Sequence, residues 1–457
     1  MSNIAVLGYA PLPLEPSQRS YSGNFRTWNT IQYLLEKGHR ITAIGMRLSG
    51  SFPKDYPSEK IYNRDNLQYY SVDELRHFHD LDYIRNRLKS ANPDCIIGIN
   101  SFPACQAARV ELSIPFWADL NGYVMTEAQS KAHLFKDNEW LHHFWTMEKP
   151  VLCHADKFST ATERQKYALV GELATMGRLS KETYSYEFIH TFPNCIDPAL
   201  IPPPENFKKN SGGKFTVLWA GTLNTWADVN TLAEGIYLAS REIPGMEVIV
   251  TGGAVKGHDE KTARVFQDEI RKYKLNDLVT FTGWLELNEL HHYLYKADCG
   301  LSIDDFCWES FIGARYRITN MLGFGLPVIC TRNTEISFCV EKHELGLTVQ
   351  PHSAESLCNA LVKMANNSDT WNTRRENIKK KAEELFHYRH VLQPLGDWVQ
   401  NPEFSPDHKG FRFPPVSRND LMEVPARELF NVLGKKIQRR TRKIISTGGK
   451  KPFPPPQ

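Results

Sequence analysis

Long apolar runs are missing from this 457-residue sequence. No window reaches the roughly 18 uninterrupted apolar residues that a membrane-spanning helix requires. The amino terminus, Met1-Ser2-Asn3-Ile4-Ala5-Val6-Leu7-Gly8, has no basic segment followed by an apolar stretch and is read as lacking a secretion signal. The nine cysteines contain no C-x-x-C pair, and several sit in apolar runs such as Cys95-Ile96-Ile97. That pattern predicts buried thiols in a reducing compartment rather than a disulfide framework. Metal-ligand spacing is also absent: Asp304 and Asp305 are adjacent instead of forming a D-x-D, and His142-His143 and His291-His292 are neighbours whose side chains would diverge on a helix. No metal and no cofactor is expected. Charge of one sign is scarce, with a formal net charge of +3. Six Lys and six Arg against five Asp or Glu between Asn401 and Gln457 leave the preceding 400 residues at −4. A mildly acidic body argues against nucleic acid as a partner.

What is present is ordinary globular material, 41% hydrophobic and 11% aromatic, in a chain too long for one core. Short apolar runs at Ile4–Leu7, Ile41–Ile44, Cys95–Ile99, Pro115–Ala118, Lys157–Thr160 and Ile189–Phe192 are separated by helix-length segments. In the first of these, Trp28, Ile31, Leu34 and Leu35 recur at helical spacing before Gly38. The alternation restarts with Phe215–Trp219, Met246–Thr251, Val279–Thr282, Cys299–Ile303, Val328–Cys330 and Leu347–Val349. Such alternation predicts an α/β protein of two doubly wound, Rossmann-like domains whose strand ends face a central cleft. Pro202-Pro203-Pro204 and Gly212-Gly213 mark the junction. The expected division is residues 1–200, residues 201–385, a helix over 386–400 crossing back to the first domain, and a Pro-rich basic tail over 401–457.

The loop Ala220-Gly221-Thr222-Leu223-Asn224-Thr225 follows a strand and precedes a helix near Asp228, a placement suited to a diphosphate. Thr251-Gly252-Gly253, Thr282-Gly283-Trp284-Leu285, Ala297-Asp298-Cys299-Gly300 and Gly325-Leu326-Pro327-Val328 follow in order. In the first half, Ser22-Gly23-Asn24 with Arg26, Ala155–Thr160 and Pro193–Asp197 complete the set. Over roughly residues 1 to 400 this resembles the GT-B glycosyltransferases, particularly a divergent subgroup of family 4. The resemblance implies transfer of a sugar from a nucleotide diphosphate sugar to an acceptor hydroxyl, with retention at the anomeric carbon and without metal. The acceptor would be a glycan, a lipid-linked glycan or a small molecule.

The resemblance also assigns residues. Gly23, Asn24, Gly221, Thr222, Asn224, Gly252 and Gly253 fall on the donor-binding loops, with Trp284 and Leu285 beside the base. The Arg and Lys that normally meet the phosphates are missing from the Gly221 loop, so Arg315 and Arg317 are the candidate cations. Both can reach one ligand only if Arg315 lies in the turn before the helix. The family's two glutamates fall on Ile312 and Asn320, leaving Asn320 to meet the ribose and Glu309 to stand in for the other. Asp119 occupies the place of the acceptor-side catalytic residue, with Glu127 a second carboxylate. Catalytic roles are thus expected of Asp119, Glu309 and Arg315. Two other readings stay open on these residues: a sugar-nucleotide epimerase, and a scaffold that binds nucleotide sugars without turnover. Between Val432 and Lys451 eight Lys or Arg occur with no acidic residue, suiting contact with an anionic membrane surface. The expected location is cytoplasmic, with association at the inner membrane face through this tail.

Overall fold

The computed structural model describes residues 1–15, 22–48, 52–53, 55–204, 213–254 and 259–409. The basic stretch Val432–Lys451 and residues 255–258 lie outside these residues. Eight strands form the first sheet: β1 (Asn3–Ala10), β2 (Arg40–Arg47), β3 (Glu59–Arg64), β4 (Leu67–Asp73), β5 (Cys95–Ile99), β6 (Phe116–Leu120), β7 (Lys157–Thr160) and β8 (Ile189–Thr191). Six form the second: β9 (Phe215–Thr222), β10 (Met246–Gly253), β11 (Val279–Gly283), β12 (Cys299–Ser302), β13 (Val328–Thr331) and β14 (Gly346–Val349). Their orders are β3-β4-β2-β1-β5-β6-β7-β8 and β11-β10-β9-β12-β13-β14. Every pairing is parallel except β3 with β4. Among the described residues no helix is long and apolar enough to cross a membrane.

The predicted doubly wound α/β architecture is what the chain adopts. In the first sheet, alternate residues feed two separate cores. Ala5, Leu7, Ile44, Met46 and Ile96 face one side, while Ile4, Val6, Ile41, Ala43 and Ile97 face the other. Sheets buried on both faces read as continuous apolar runs, which is why these strands are conspicuous in the sequence. The β3–β4 hairpin is not conspicuous and was not anticipated. Its strand Glu59–Arg64 is a largely exposed edge, and its turn relies on Asp65 at φ 47°.

The second face of the first sheet is closed by the far end of the chain. Tyr388, Leu392, Leu395 and Val399, from the short helices Tyr388–Val391 and Gln393–Trp398, belong to the same core as Ile4 and Trp117. Tyr388 Oη donates to Glu36 at 2.6 Å, Arg389 makes two bonds to the same carboxylate at 2.8 and 3.0 Å, and Ser2 Oγ donates to the Val399 carbonyl at 2.7 Å. Beyond Asn401 the backbone stays attached. Arg178 pairs with Asp407 through two bonds of 2.7 and 2.9 Å, both side chains 3–4% exposed, and Ser405 accepts from Arg178 while bonding Asp156. Residues 401–409, expected to begin an irregular tail, are therefore part of the first domain's packing. Removing one partner of such a buried pair strands the other charge. Asp407→Ala should lower stability by roughly 3–5 kcal/mol in urea unfolding, and an unchanged midpoint would show that this segment only rests on the surface.

Candidate active site

Each sheet reverses its strand order at one place: β1 lies between β2 and β5, and β9 lies between β10 and β12. Loops leaving the carboxyl ends of strands diverge at such a point and open a crevice. On the first sheet the crevice is formed by the end of β1, by Asn100 after β5, and by the start of the Ser22–Glu36 helix. A side chain at Gly23 would meet Tyr9 at 2.7 Å and Asn100 at 2.9 Å. Asn24, the next residue, is buried there.

On the second sheet β9 and β10 stay in register to their last residues, pairing Gly221 with Gly252 and Thr222 with Gly253. Gly221, Gly252 and Gly253 all have positive φ, and a Cβ on Gly252 would lie 2.7 Å from the Gly221 carbonyl oxygen. Only glycine allows these two turns to touch. The loop beyond Gly221 is pinned rather than floppy. Leu223 N donates to Gly253 O at 3.1 Å, Asp305 N to Trp226 O at 2.7 Å, and Asp228 N to Ile303 O at 3.1 Å. Asn224 sits within it, its carbonyl accepting from Ala227 N at 2.9 Å. The helix that follows, Val229–Glu242, is already capped by the Asp228 carboxylate on Thr231 N at 3.0 Å. One of the helix's first N–H groups is thus already satisfied within the chain.

The two arginines divide the work differently from what the sequence suggests. Arg315 lies in the turn before the Tyr316–Gly323 helix, as its cap residue. It is 4% exposed and held by two carboxylates: Glu309, through bonds of 3.1 and 2.7 Å, and Asp304, at 3.1 Å from Nε. Gly313 makes this closure possible, because a Cβ there would stand 2.4 Å from Glu309 Oε1 and 3.1 Å from Arg315 Nη1. Arg317, two residues later, reaches the glycine loop itself. Its Nη2 donates to the Thr222 carbonyl, its guanidinium lies 4.1 Å from the Trp219 ring centre, and its buried Nη1 has no partner. Thr225 Oγ1 is likewise buried and unpartnered in the same loop. Burial pushes Arg317 down to about 10, against the pull of Asp304, and leaves it cationic at neutral pH. A buried donor without a partner costs roughly 1–3 kcal/mol, so an anionic ligand that satisfied both groups would recover it.

The carboxylates separate in the same way. Asp119, expected to steer an acceptor, is 4% exposed and fully engaged: Arg26 binds it at 2.5 and 2.7 Å and Ser159 Oγ donates to it at 2.5 Å. In this geometry it anchors Arg26, with two donors on Oδ1 and one on Oδ2. Glu127, at the start of the Val124–Phe135 helix, is instead close enough to Arg315 and Lys131 to feel both charges, and it raises Glu309 in turn. Burial pushes Glu309 up to about 7, with Arg315 opposing, since a single guanidinium is shared by two carboxylates. Asn320 does not join this cluster. It lines a narrow crevice with Asn29, Cys195, Asp197, His291 and Tyr316, beside the stacked rings of Phe25 and Tyr316 at 5.5 Å. Trp284 is half-buried with Nε1 donating to Ala254 O at 2.9 Å, and Leu285 beside it is also half-buried.

Contacts between the two sheets' layers hold the cleft together. Glu335 accepts from the backbone N–H of Glu163 and Arg164 at 2.9 and 3.0 Å, capping a first-domain helix from the second domain. Arg164 reaches the carbonyls of Phe311 and Asn333 at 2.8 and 2.5 Å, and Thr162 Oγ1 donates to Ile312 O at 2.6 Å. Ile312, where the resemblance places a family glutamate, thus serves the interface through its backbone.

With this geometry in hand, comparison with known proteins is decisive for the second sheet. Residues 214–367 match the family model for Glycosyl transferases group 1. This stretch is similar to the group 1 domain of those enzymes. It contains the whole β9–β14 sheet, and with it Gly221, Asp304, Glu309, Arg315 and Arg317. No match was found among curated protein sequences. Among solved structures, sucrose-phosphate synthase from Thermosynechococcus elongatus is similar over 88% of this chain and 98% of its own, at TM-score 0.65 and 15% identity. Anabaena HepE in complex with UDP-glucose is similar over 88% and 100%, at TM-score 0.60 and 12% identity. A UDP-forming α,α-trehalose-phosphate synthase from Burkholderia xenovorans is similar over 88% and 99%, at TM-score 0.62 and 11% identity. The fold around the group 1 domain is thus the two-domain GT-B arrangement.

Behind the cleft, Tyr123 Oη donates to Glu172 at 2.8 Å, and burial pushes Glu172 up to about 7. Glu148 is also raised, by burial and then by Glu172. A carboxyl raised on folding contributes stability below its unfolded pKa that is lost as pH rises through the folded value. Glu172→Gln should therefore gain roughly 1–3 kcal/mol relative to the unmodified chain between pH 5.5 and 8. Urea unfolding at both pH values checks this, and a constant difference between the two proteins would contradict it.

Proposed function

We propose that the chain is a glycosyltransferase that binds a nucleotide diphosphate sugar in the β9–β10 crevice and passes the sugar to an acceptor hydroxyl presented by the first domain. The observation that carries this reading is the buried, unpartnered Nη1 of Arg317 beside the Gly221 turn, inside the group 1 domain. A diphosphate supplies acceptor oxygens for Arg317 and Thr225, and the glycine turn lets it approach the backbone. Trp284 and Leu285 stand on the loop after β11 as a wall for the base. No metal or other cofactor enters the proposal: the nucleotide sugar is a co-substrate, and the guanidinium does the charge stabilisation.

Arg315 then acts through position rather than by direct charge donation. Its fixed pairing sets Glu309 and Asp304 at the mouth of the crevice, where Glu309 and Glu127 face the place a sugar would occupy. Electrostatic stabilisation of a developing oxocarbenium charge by such carboxylates, with the leaving phosphate taking the acceptor proton on the same face, gives retention of configuration. The structures of similar fold that carry UDP-glucose or form UDP support a uridine nucleotide as the first donor to try.

Arg317→Ala should abolish thermal stabilisation by millimolar UDP and lower sugar transfer more than about tenfold, the loss expected for one transition-state charge contact. Arg317→Lys should recover part of the binding, as a point charge in place of a fork. Equal stabilisation of the alanine variant and the unmodified protein by every nucleotide diphosphate tried would remove Arg317 from the site.

A further inference from the structure

An open groove runs along the first domain beside the charged cluster, and nothing in the donor reading uses it. Its volume is about 570 Å³, within the roughly 300–1,000 Å³ of small-molecule sites. Its walls come from both domains: Tyr123, Thr126, Gln129 and Asn138 from the helices Val124–Phe135 and Glu139–His154 and the residues just before them, and Trp308 from the opposite side. Ser130 and Cys307 close the two walls to a side-chain contact of 3.7 Å.

Two features of the lining restrict its occupant. None of the nine lining residues is Asp, Glu, Lys or Arg, so neither a phosphate nor an ammonium group finds a counter-ion. The polar side chains are amides, hydroxyls and the His133 imidazole, groups that donate and accept and so match a surface of alcohol groups. Trp308 is 59% exposed at the first position of its helix, an unusual cost for an indole without a ligand. Its flat apolar face suits the C–H face of a pyranose ring, and the scattered apolar contributions of Met125, Ala132 and Leu141 are too small for an acyl chain. The groove also leads to the right place: Thr126 and Trp308 are chain neighbours of Glu127 and Glu309.

We propose that this groove binds a neutral oligosaccharide, the acceptor, with a sugar ring stacked on Trp308 and its hydroxyls bonded by Gln129, Asn138 and Thr126. The inference rests on the glycosyltransferase reading, because the groove acquires an acceptor only if a donor is bound next to it. Saturation-transfer NMR and calorimetry on the full chain with cellotriose, maltotriose, mannotriose and chitotriose test it, alongside thermal stabilisation by UDP-glucose as a separate readout of the donor site. At least one trisaccharide should bind, Trp308→Ala should weaken it more than tenfold with an unchanged melting temperature, and Trp308→Phe should stay within about threefold. Binding of the trisaccharide to Trp308→Ala with undiminished affinity would overturn the proposal. So would failure of all four sugars in a protein that UDP-glucose stabilises, or binding of phosphatidylglycerol vesicles through Trp308 in their place. Loss of the UDP-glucose response alone would count against the donor reading and not against the groove.

Discussion

The reversal of strand order at β9 is the constraint on which the site depends. Because β10 and β12 flank β9 on opposite sides, the chain leaving β9 at Gly221 and the chain leaving β12 at Ser302 turn away from one another. The chain after β12 carries the charged groups proposed for the donor site: Asp304 two residues beyond the strand, Glu309 in a short helix, Arg315 in the turn and Arg317 in the next helix. Burial then sorts them. Arg315 is paired with two carboxylates, and Arg317, whose Nη2 binds the Thr222 carbonyl, keeps a buried Nη1 without a hydrogen-bond partner.

The same segment also holds the two domains at a working distance. Phe311 and Ile312 give their carbonyls to Arg164 and Thr162 of the first domain, and Trp308 borders the groove of the helix Val124–Phe135. The proposed donor and acceptor sites therefore share one short stretch of chain. The first domain in turn is completed by residues 388–409, which cover its second face and bury Arg178 against Asp407.

Most of the fold was legible because buried parallel strands must be apolar on both faces, so each appears as a short run bounded by turn residues. The β3–β4 hairpin was not, since its edge strand Glu59–Arg64 is largely exposed and carries no apolar run, and its partner Leu67–Asp73 is buried through polar as well as apolar residues. In the site, Gly221, Gly252 and Gly253 were legible because backbone contact between adjacent turns excludes every other residue. The partition of charge between Arg315 and Arg317 was not, because it depends on the approach of Asp304 and Glu309, and spacing along the chain does not encode that approach. The pairing of Asp119 with Arg26 was not legible for a related reason: a carboxylate at a strand end reads the same whatever side chain from another element meets it. Trp308 carried no signal beside the more conspicuous Glu309.

The central claim is that a nucleotide diphosphate is bound by the Gly221 turn and by Arg317 rather than by Arg315. A crystal structure of the full chain with UDP tests it most directly. The account predicts diphosphate oxygens within hydrogen-bonding distance of Arg317 Nη1 and Thr225 Oγ1, with the Arg315 pairs to Asp304 and Glu309 intact. A diphosphate bound to Arg315 with those pairs broken, or one seated away from the β9–β10 crevice, would contradict it.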